Sequence, residues 1–251
     1  MDNTKKFSNR AEDYTKGRPS YAQSFISMLY EKLGFDESSE IADVGSGTGK
    51  LSKQLLENGS KVFCVEPNED MRKIAERELS CFDKFISVEG TSSDTKLNDN
   101  SVDFITVAQA FHWFDPEKFK KECKRILKDN GKVILVWNTR DMSDEFNRKS
   151  YDIYKKYCPD FKGYHGGMKD DDSRISDFFS GNCQRISFEN SLEFTRDKFI
   201  TRSLPASYSL KEGNSDFEQY IKELGDLFDR FSQNGIVTVK NNTVAYIGKL
   251  K

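Results

Sequence analysis

Apolar residues fall into two alternating patterns over the first ~140 positions. Compact runs such as Ile41-Ala42-Asp43-Val44, Val62-Phe63-Cys64-Val65 and Phe104-Ile105-Thr106-Val107 are separated by longer stretches in which apolar positions recur every three or four residues. The first pattern suits strands buried on both faces, and the second suits amphipathic helices packed against them. Strands are predicted over 40–44, 61–65, 85–88, 102–108 and 132–137. Helices are predicted over 21–33, where Gly34 stops the chain, over 49–57, from Pro67 onward, and over 117–127. Pro67 sets the backbone for a first turn, and Asn68, Glu69 and Asp70 place polar and acidic groups there, as the helix dipole favours. Asp99-Asn100-Ser101 and Asp129-Asn130-Gly131 read as turns. This alternation predicts an α/β fold with a doubly wound sheet and a ligand crevice over its first and fourth strands.

The alternation lapses after Asn138. Residues 139–182 are charged and aromatic, with Gly163, Gly166 and Gly167 among them, and read as an inserted helical cap. Residues 184–194 read as a strand, Thr195 as a helix start, and 215–231 as a further helix. Residues 236–240 and 243–247 alternate around Asn241-Asn242, either as a closing hairpin or as one long bulged strand. The domain reading is therefore a ligand-binding core with a covering N-terminal segment (1–138), a cap (139–182), and C-terminal strands and helices that complete the sheet and a substrate lobe (183–251).

Composition narrows the class. Hydrophobic residues make up 36% and charged residues 32%, which suits a folded, polar-surfaced domain. A formal net charge of −2 supplies no basic footprint, so nucleic acid is not an expected partner. No apolar run approaches the ~20 residues that span a bilayer, so no membrane insertion is expected. Met1-Asp2-Asn3-Thr4-Lys5-Lys6 lacks the apolar core of a secretory leader. Cys64, Cys81, Cys123, Cys158 and Cys183 form no C-x-x-C pair and are expected as reduced thiols in a cytoplasmic protein. No His/Cys pattern with metal-ligand spacing is present, so no metal is expected. Oligomeric state stays open.

The chemistry is concentrated where the first strand breaks into Gly45, Gly47 and Gly49. Glycines allow a sharp turn and close approach of backbone to a ligand. Glu66, at the tip of the second strand, stands where an acid can accept hydrogen bonds from two ribose hydroxyls, which implies a nucleoside-containing ligand. The dinucleotide pattern G-x-G-x-x-G is not met, because Lys50 stands where its third glycine would be. Asp43 would repel a pyrophosphate, whereas a cationic amino-acid ligand would be accommodated.

Asp43-x-Gly45-x-Gly47-x-Gly49 resembles motif I of class I S-adenosylmethionine (SAM) methyltransferases, and Glu66 resembles their ribose-binding acid. Residues 88–115, including Ala108-Gln109-Ala110-Phe111-His112-Trp113-Phe114-Asp115, are similar to motifs II and III of the type 11 small-molecule branch, which includes trans-aconitate and quinone-ring methyltransferase relatives. Gly131-Lys132-Val133-Ile134-Leu135 resembles the opening of their fifth strand, and Tyr14-Thr15-Lys16-Gly17-Arg18-Pro19-Ser20-Tyr21 their cofactor-covering segment. The resemblance spans most of residues 7–140 and is loose over the C-terminal third. It implies a mostly parallel seven-stranded sheet of the Rossmann-like methyltransferase fold. It also implies SAM as cofactor, S-adenosylhomocysteine (SAH) as product, and a small-molecule methyl acceptor.

Carried over by resemblance, Asp43, Gly45, Ser46 and Gly47 lie beneath the methionine portion. Glu66 takes the ribose, and Pro67 and Met71 line the adenine pocket. Thr91, Ser92 and Ser93 border the adenine edge, although the family usually places Ala-Glu where Ser92-Ser93 stands. Ala108 and Gln109 meet the sulfonium region, and Tyr14 and Arg18 close over the cofactor. His112, Trp113 and Asn138 are the substrate-side candidates. His112 either takes a proton from the acceptor or orients its loop while Trp113 forms wall. Asn138 either touches substrate or serves as a turn residue. The acceptor is expected to enter between the N-terminal segment, the loop over 111–114 and the cap. Two alternatives stay open: a SAM-binding sensor or scaffold that transfers nothing, and an NAD-dependent oxidoreductase, the latter opposed by the glycine spacing and Asp43.

Overall fold

The computed structural model describes residues 19–164, 172–204 and 209–250. Its strands are β1 (Glu40–Val44), β2 (Lys61–Val65), β3 (Phe85–Val88), β4 (Val102–Ala108), β5 (Leu127–Arg140), β6 (Cys183–Glu189), β7 (Leu192–Phe194), β8 (Val237–Val239) and β9 (Asn241–Gly248). Its α-helices are α1 (Gln23–Met28), α2 (Lys50–Glu57), α3 (Glu69–Leu79), α4 (Pro116–Ile126), α5 (Glu145–Tyr157), α6 (Ser173–Phe178), α7 (Arg196–Ser203) and α8 (Phe217–Phe231). Seven strands form one sheet in the order β3-β2-β1-β4-β5-β9-β6, and β7 pairs antiparallel with β8. The pairings of β1 with β2 and β4, of β2 with β3, and of β4 with β5 are all parallel. The strand order reverses between β1 and β4, the position at which doubly wound sheets bind ligands. Among the described residues no helix is long and apolar enough to cross a membrane.

The chain divides into two compact units. The first comprises the described parts of 1–137, 167–188 and 243–251; the second comprises those of 138–166 and 189–242. In the first unit, alternate strand residues face opposite layers. Ile41, Val62, Cys64, Phe104 and Ile134 pack with Phe25, Ile26 and Leu29 of the N-terminal helix, Leu51 and Leu55 of α2, and Leu79 of α3. Ala42, Val44, Ile105, Val107, Val133 and Leu135 pack on the other face with Phe119, Cys123 and Ile126 of α4 and Phe178 of α6. Burial on both faces accounts for the nearly unbroken apolar runs of the central strands. In the second unit Phe146, Tyr154, Phe199, Tyr220, Leu224 and Phe228 form a separate core.

Several sequence expectations shift. The first helix runs α-helical to Met28 and continues as a π-helical turn, Leu29–Leu33, before Gly34 turns it off in the left-handed region at φ 94. Asn68 caps α3 by accepting from Met71 N at 3.0 Å, so Pro67 precedes the helix and does not open it. The expected turn over 129–131 lies inside a longer strand. Val102 pairs with Leu127 but Phe104 with Lys132, so the intervening residues of β5 bulge outward. The single strand expected over 184–194 is two, β6 and β7, and they belong to different sheets. Residues 236–247 are neither a hairpin nor one strand: β8 pairs with β7, while β9 joins the large sheet. The described parts of 167–188, which carry α6 and β6 up to Phe188, belong to the first compact unit, and those of 189–242 join those of 138–166 in the second.

Candidate active site

The end of β1 is shaped by three residues in the left-handed region: Gly45 at φ 70, Gly47 at φ 58 and Gly49 at φ 77. Each faces a side chain. A Cβ on Gly45 would lie 2.7 Å from the Ala110 Cβ and 3.1 Å from the Phe114 ring. One on Gly49 would meet Leu79 at 2.5 Å, and one on Gly47 would lie 3.6 Å from the Met71 sulfur. The glycines therefore provide conformational freedom and, at Gly45 and Gly49, the room for two neighbouring elements to close on the loop. Gly45 N and Ser46 N both donate to Val65 O, at 2.8 and 3.2 Å, which ties the loop to the end of β2. Gly49 is the N-cap of α2. Lys50 is the first helical residue, where a dinucleotide fold would need its third glycine.

Asp43 is fully buried on the face that carries Cys64 and Phe104. Its register neighbours are Cys64 on β2 and Thr106 on β4. Oδ1 accepts from Thr106 Oγ1 at 2.9 Å, and Oδ2 accepts from Ser52 Oγ at 2.6 Å. Desolvation pushes the Asp43 pKa up to about 6, with the Ser52 and Thr106 hydrogen bonds acting in the opposite sense. These two hydroxyls are site residues that the motif pattern did not single out. Their signal was present, however. Ser52 is the polar member of α2's buried face, beside Leu51, Leu55 and Leu56, and Thr106 is the polar residue of the run Phe104-Ile105-Thr106-Val107.

Glu66 reaches back to the loop from the end of β2. Its Oε2 accepts from Gly47 N at 3.0 Å and its Oε1 from Asn68 N at 2.9 Å. Burial raises its pKa, against which the two backbone bonds and Arg72 act. Arg72 Nη1 donates to Glu66 O and Pro67 O, both at 2.9 Å, and so fixes the turn that presents the carboxylate. Met71 is buried on α3, and Pro67 is half-buried.

The other loops at this end of the sheet are also pinned. Thr91 N donates to Asp94 O at 2.9 Å, and the Thr91 and Ser93 hydroxyls lie 3.3 Å apart, with Ser92 half-buried between them. Thr95 N and Oγ1 donate to Glu122 Oε1 at 2.8 and 2.6 Å, anchoring this turn to α4. After Ala108, Gln109 takes φ 57, an uncommon conformation for a residue with a side chain, and its N–H donates to Val136 O at 2.9 Å. That kink directs the chain into a 3-10 turn, Phe111–Trp113, in which Phe111 is buried and His112 half-buried. Trp113 is 41% exposed, and its ring centroid lies 4.7 Å from that of His112.

Asp43, Gly45, Ser46, Gly47, Glu66 and Met71 are thus brought together around one loop, with the 110–114 segment packed on Gly45. Asn138 belongs to the second unit, where its Oδ1 accepts from Asn190 Nδ2 at 3.1 Å. Tyr14 and Arg18 lie outside the described residues. The site meets a simple test of fit for a cofactor with a polar amino-acid end. The Ser46 hydroxyl is buried with no hydrogen-bond partner among the described residues, so a polar end of a ligand has a group to meet there.

Residues 42–135 match the family model described as "Methyltransferase domain". A methyltransferase of Mycobacterium bovis, described as uncharacterized, is 38% identical over 135 residues, 54% of this chain and 53% of that protein. A methyltransferase-like protein of Schizosaccharomyces pombe, also described as uncharacterized, is 34% identical over 164 residues, 62% of each chain. The chain thus spans about half the length of the first curated relatives it matches. Among solved structures, a proposed type II methyltransferase from Anaeromyxobacter dehalogenans superposes with a TM-score of 0.64 at 18% identity, over 92% of this chain and 97% of that one. At that identity the likeness shows the fold: a mostly parallel seven-stranded sheet with flanking helices, as in Rossmann-like methyltransferases.

Proposed function

We propose that the protein is a SAM-dependent methyltransferase acting on a small molecule. The observation that carries this reading is the constellation at the end of β1 and β2. A buried acid lies behind the glycine loop, the Ser46 hydroxyl, without a partner among the described residues, lies in it, and the Glu66 carboxylate is held against it by the Gly47 N–H. The matched methyltransferase domain over 42–135 contains all of these residues.

When bound, SAM supplies an electrophilic methyl group on a sulfonium. The chain's own residues hold and orient. Gly45, Ser46 and Gly47 receive the methionine portion, with the Asp43 charge set against its ammonium. Glu66 accepts from the ribose hydroxyls, Pro67 and Met71 provide apolar surface for the adenine, and Thr91, Ser92 and Ser93 offer hydroxyls and backbone at its edge. Ala108 and Gln109, at the end of β4, border the sulfonium region, and the kink at Gln109 aims the following loop across the site. The small-molecule reading has support in the 110–114 segment. It places His112 and the exposed Trp113 indole within one loop of the cofactor residues, an aromatic wall suited to a compact acceptor. Positioning the acceptor and excluding water then supply much of the acceleration.

The test is SAH formation from SAM across a panel of carboxylic acids, phenols and quinols, with SAM alone as the blank. Acceptor-dependent SAH formation supports the proposal; slow, acceptor-independent turnover across the panel contradicts it and favours a non-catalytic SAM binder. If His112 is the base, His112→Gln lowers kcat by about 10²–10⁴ and removes the acid limb of the rate profile while SAH affinity stays within twofold. A kcat within threefold of the parent assigns His112 to orienting the loop.

A further inference from the structure

Asp43, Ser52 and Thr106 form a buried polar triplet inside an otherwise apolar layer. Ser52 and Thr106 are each fully buried, Ser52 beside Leu51, Leu55 and Leu56 of α2, and Thr106 on the sheet face that carries Ile41, Cys64 and Phe104. Hydroxyls at such positions cost stability unless they are bonded, and each is bonded to a different oxygen of the same carboxylate. The two bonds arrive from opposite elements, the helix that follows the glycine loop and the neighbouring strand β4. The Ser52 backbone N–H also bonds this carboxylate, and the three donors together fix its plane and leave room for one more. We propose that Ser52 and Thr106 are positioning residues of the cofactor site, holding the Asp43 carboxylate oriented and charged behind the glycine loop, where it offsets the cofactor's α-ammonium group.

The inference rests on the SAM reading and extends it to two residues outside the glycine motif. The groups that share the neighbourhood of Asp43 are few. From β2, Cys64 lies directly opposite, and burial, then the Asp43 charge, push its thiol far above the range of any ordinary assay. Glu66 stands at the end of the same strand and feels the Asp43 charge, with Arg72 of α3 beside it. From α2 and β4 come only the neutral Ser52 and Thr106, among the described residues. Both hydroxyls favour the charged form of Asp43, against desolvation, so removing either makes Asp43 easier to protonate.

The test is calorimetric titration of the full chain with SAH between pH 5 and 8.5, comparing the parent with Ser52→Ala and Thr106→Val. For the parent, affinity is expected to fall on the acid side of about pH 6, where Asp43 takes up its proton. In each variant that acid limb moves up by about one pH unit, giving about fivefold weaker binding near pH 6, about tenfold near pH 5, and parent-like binding at pH 8 and above. Ser52→Thr and Thr106→Ser, which keep a hydroxyl, restore the parent profile. An independent readout needs no cofactor. The pH dependence of the melting temperature moves by the same amount in Thr106→Val, and the shift vanishes when Thr106→Val is placed in an Asp43→Asn background, which separates it from Glu66. A pH-independent loss of affinity, an unmoved acid limb, or a shift that persists in the Asp43→Asn background overturns the inference while leaving the SAM reading in place. Absence of SAH binding by the folded parent at every pH defeats both.

Discussion

A carboxylate buried without a cation nearby lowers stability when ionised, and among the described residues Asp43 is such a group. Its pKa in the folded chain, about 6, lies above the ordinary value of 3.8, so the folded state binds this proton more tightly than the unfolded state does. At neutral pH both states are ionised and the folded state carries the whole penalty, roughly 3 kcal/mol from this one group. The penalty fades as pH falls from about 7 to about 4. Asp43→Asn should therefore raise the stability of the cofactor-free protein at pH 7 by up to that amount, flatten this part of its pH profile, and abolish SAH binding. Denaturant melts at pH 7 and 5 check the first two expectations and calorimetry the third. A destabilised Asn variant would show that the bonds Asp43 accepts from Ser52 and Thr106 outweigh its desolvation penalty. Asp43 and Glu66 were legible from sequence because they sit at strand ends around a glycine run. Ser52 and Thr106 stand out in the sequence only as polar members of apolar faces; their shared partner does not, because it is a side chain 9 or 63 positions away, joined to them only by the register of β1 on β4 and the phase of α2.

At the scale of elements, helix caps position the loops that frame the crevice. Asn68 caps α3, the helix that carries Met71 and Arg72, and its own N–H is one of the two backbone donors to Glu66. Asn68→Ala leaves that N–H in place but removes the side-chain acceptor for Met71 N. It should cost about 1 kcal/mol by denaturant titration, with SAH affinity falling less than tenfold. A neutral result would mean that Glu66 and Arg72 hold the helix start unaided. Elements in the alternating region were readable because each apolar run encodes its own burial: the buried positions of β1 and β4 are the apolar residues of 41–44 and 102–107 together with Asp43 and Thr106. Pairing was harder. Nothing local in Val237–Val239 and Asn241–Gly248 announces that adjacent strands belong to different sheets, because that is decided by distant β7 and by the place of β9 in the sheet order.

For the whole molecule, the two units hold separate cores; every described cofactor-site candidate lies in the first, and Asn138, a substrate-side candidate, in the second. The second unit depends on its own polar contacts, such as Tyr154 OH donating to Ser203 Oγ at 2.6 Å, with Ser203 in turn donating to Phe199 O. Tyr154→Phe should destabilise the protein by about 1 kcal/mol in thermal melts and leave SAH affinity within twofold. A large loss of SAH binding would show that the second unit governs the cofactor loop. The division itself was hidden in the sequence, since a unit assembled from 138–166 and 189–242 is interrupted by a segment that packs in the first unit. The central claim, that the glycine loop with Asp43 and Glu66 holds SAM, is tested most directly by calorimetric titration with SAH of the parent, Asp43→Ala and Glu66→Ala, with NAD as the competing ligand. The account predicts one saturable SAH site, weakened at least tenfold by either substitution, and no binding of NAD. A well-folded parent that ignores SAH, or that binds NAD in its place, contradicts it.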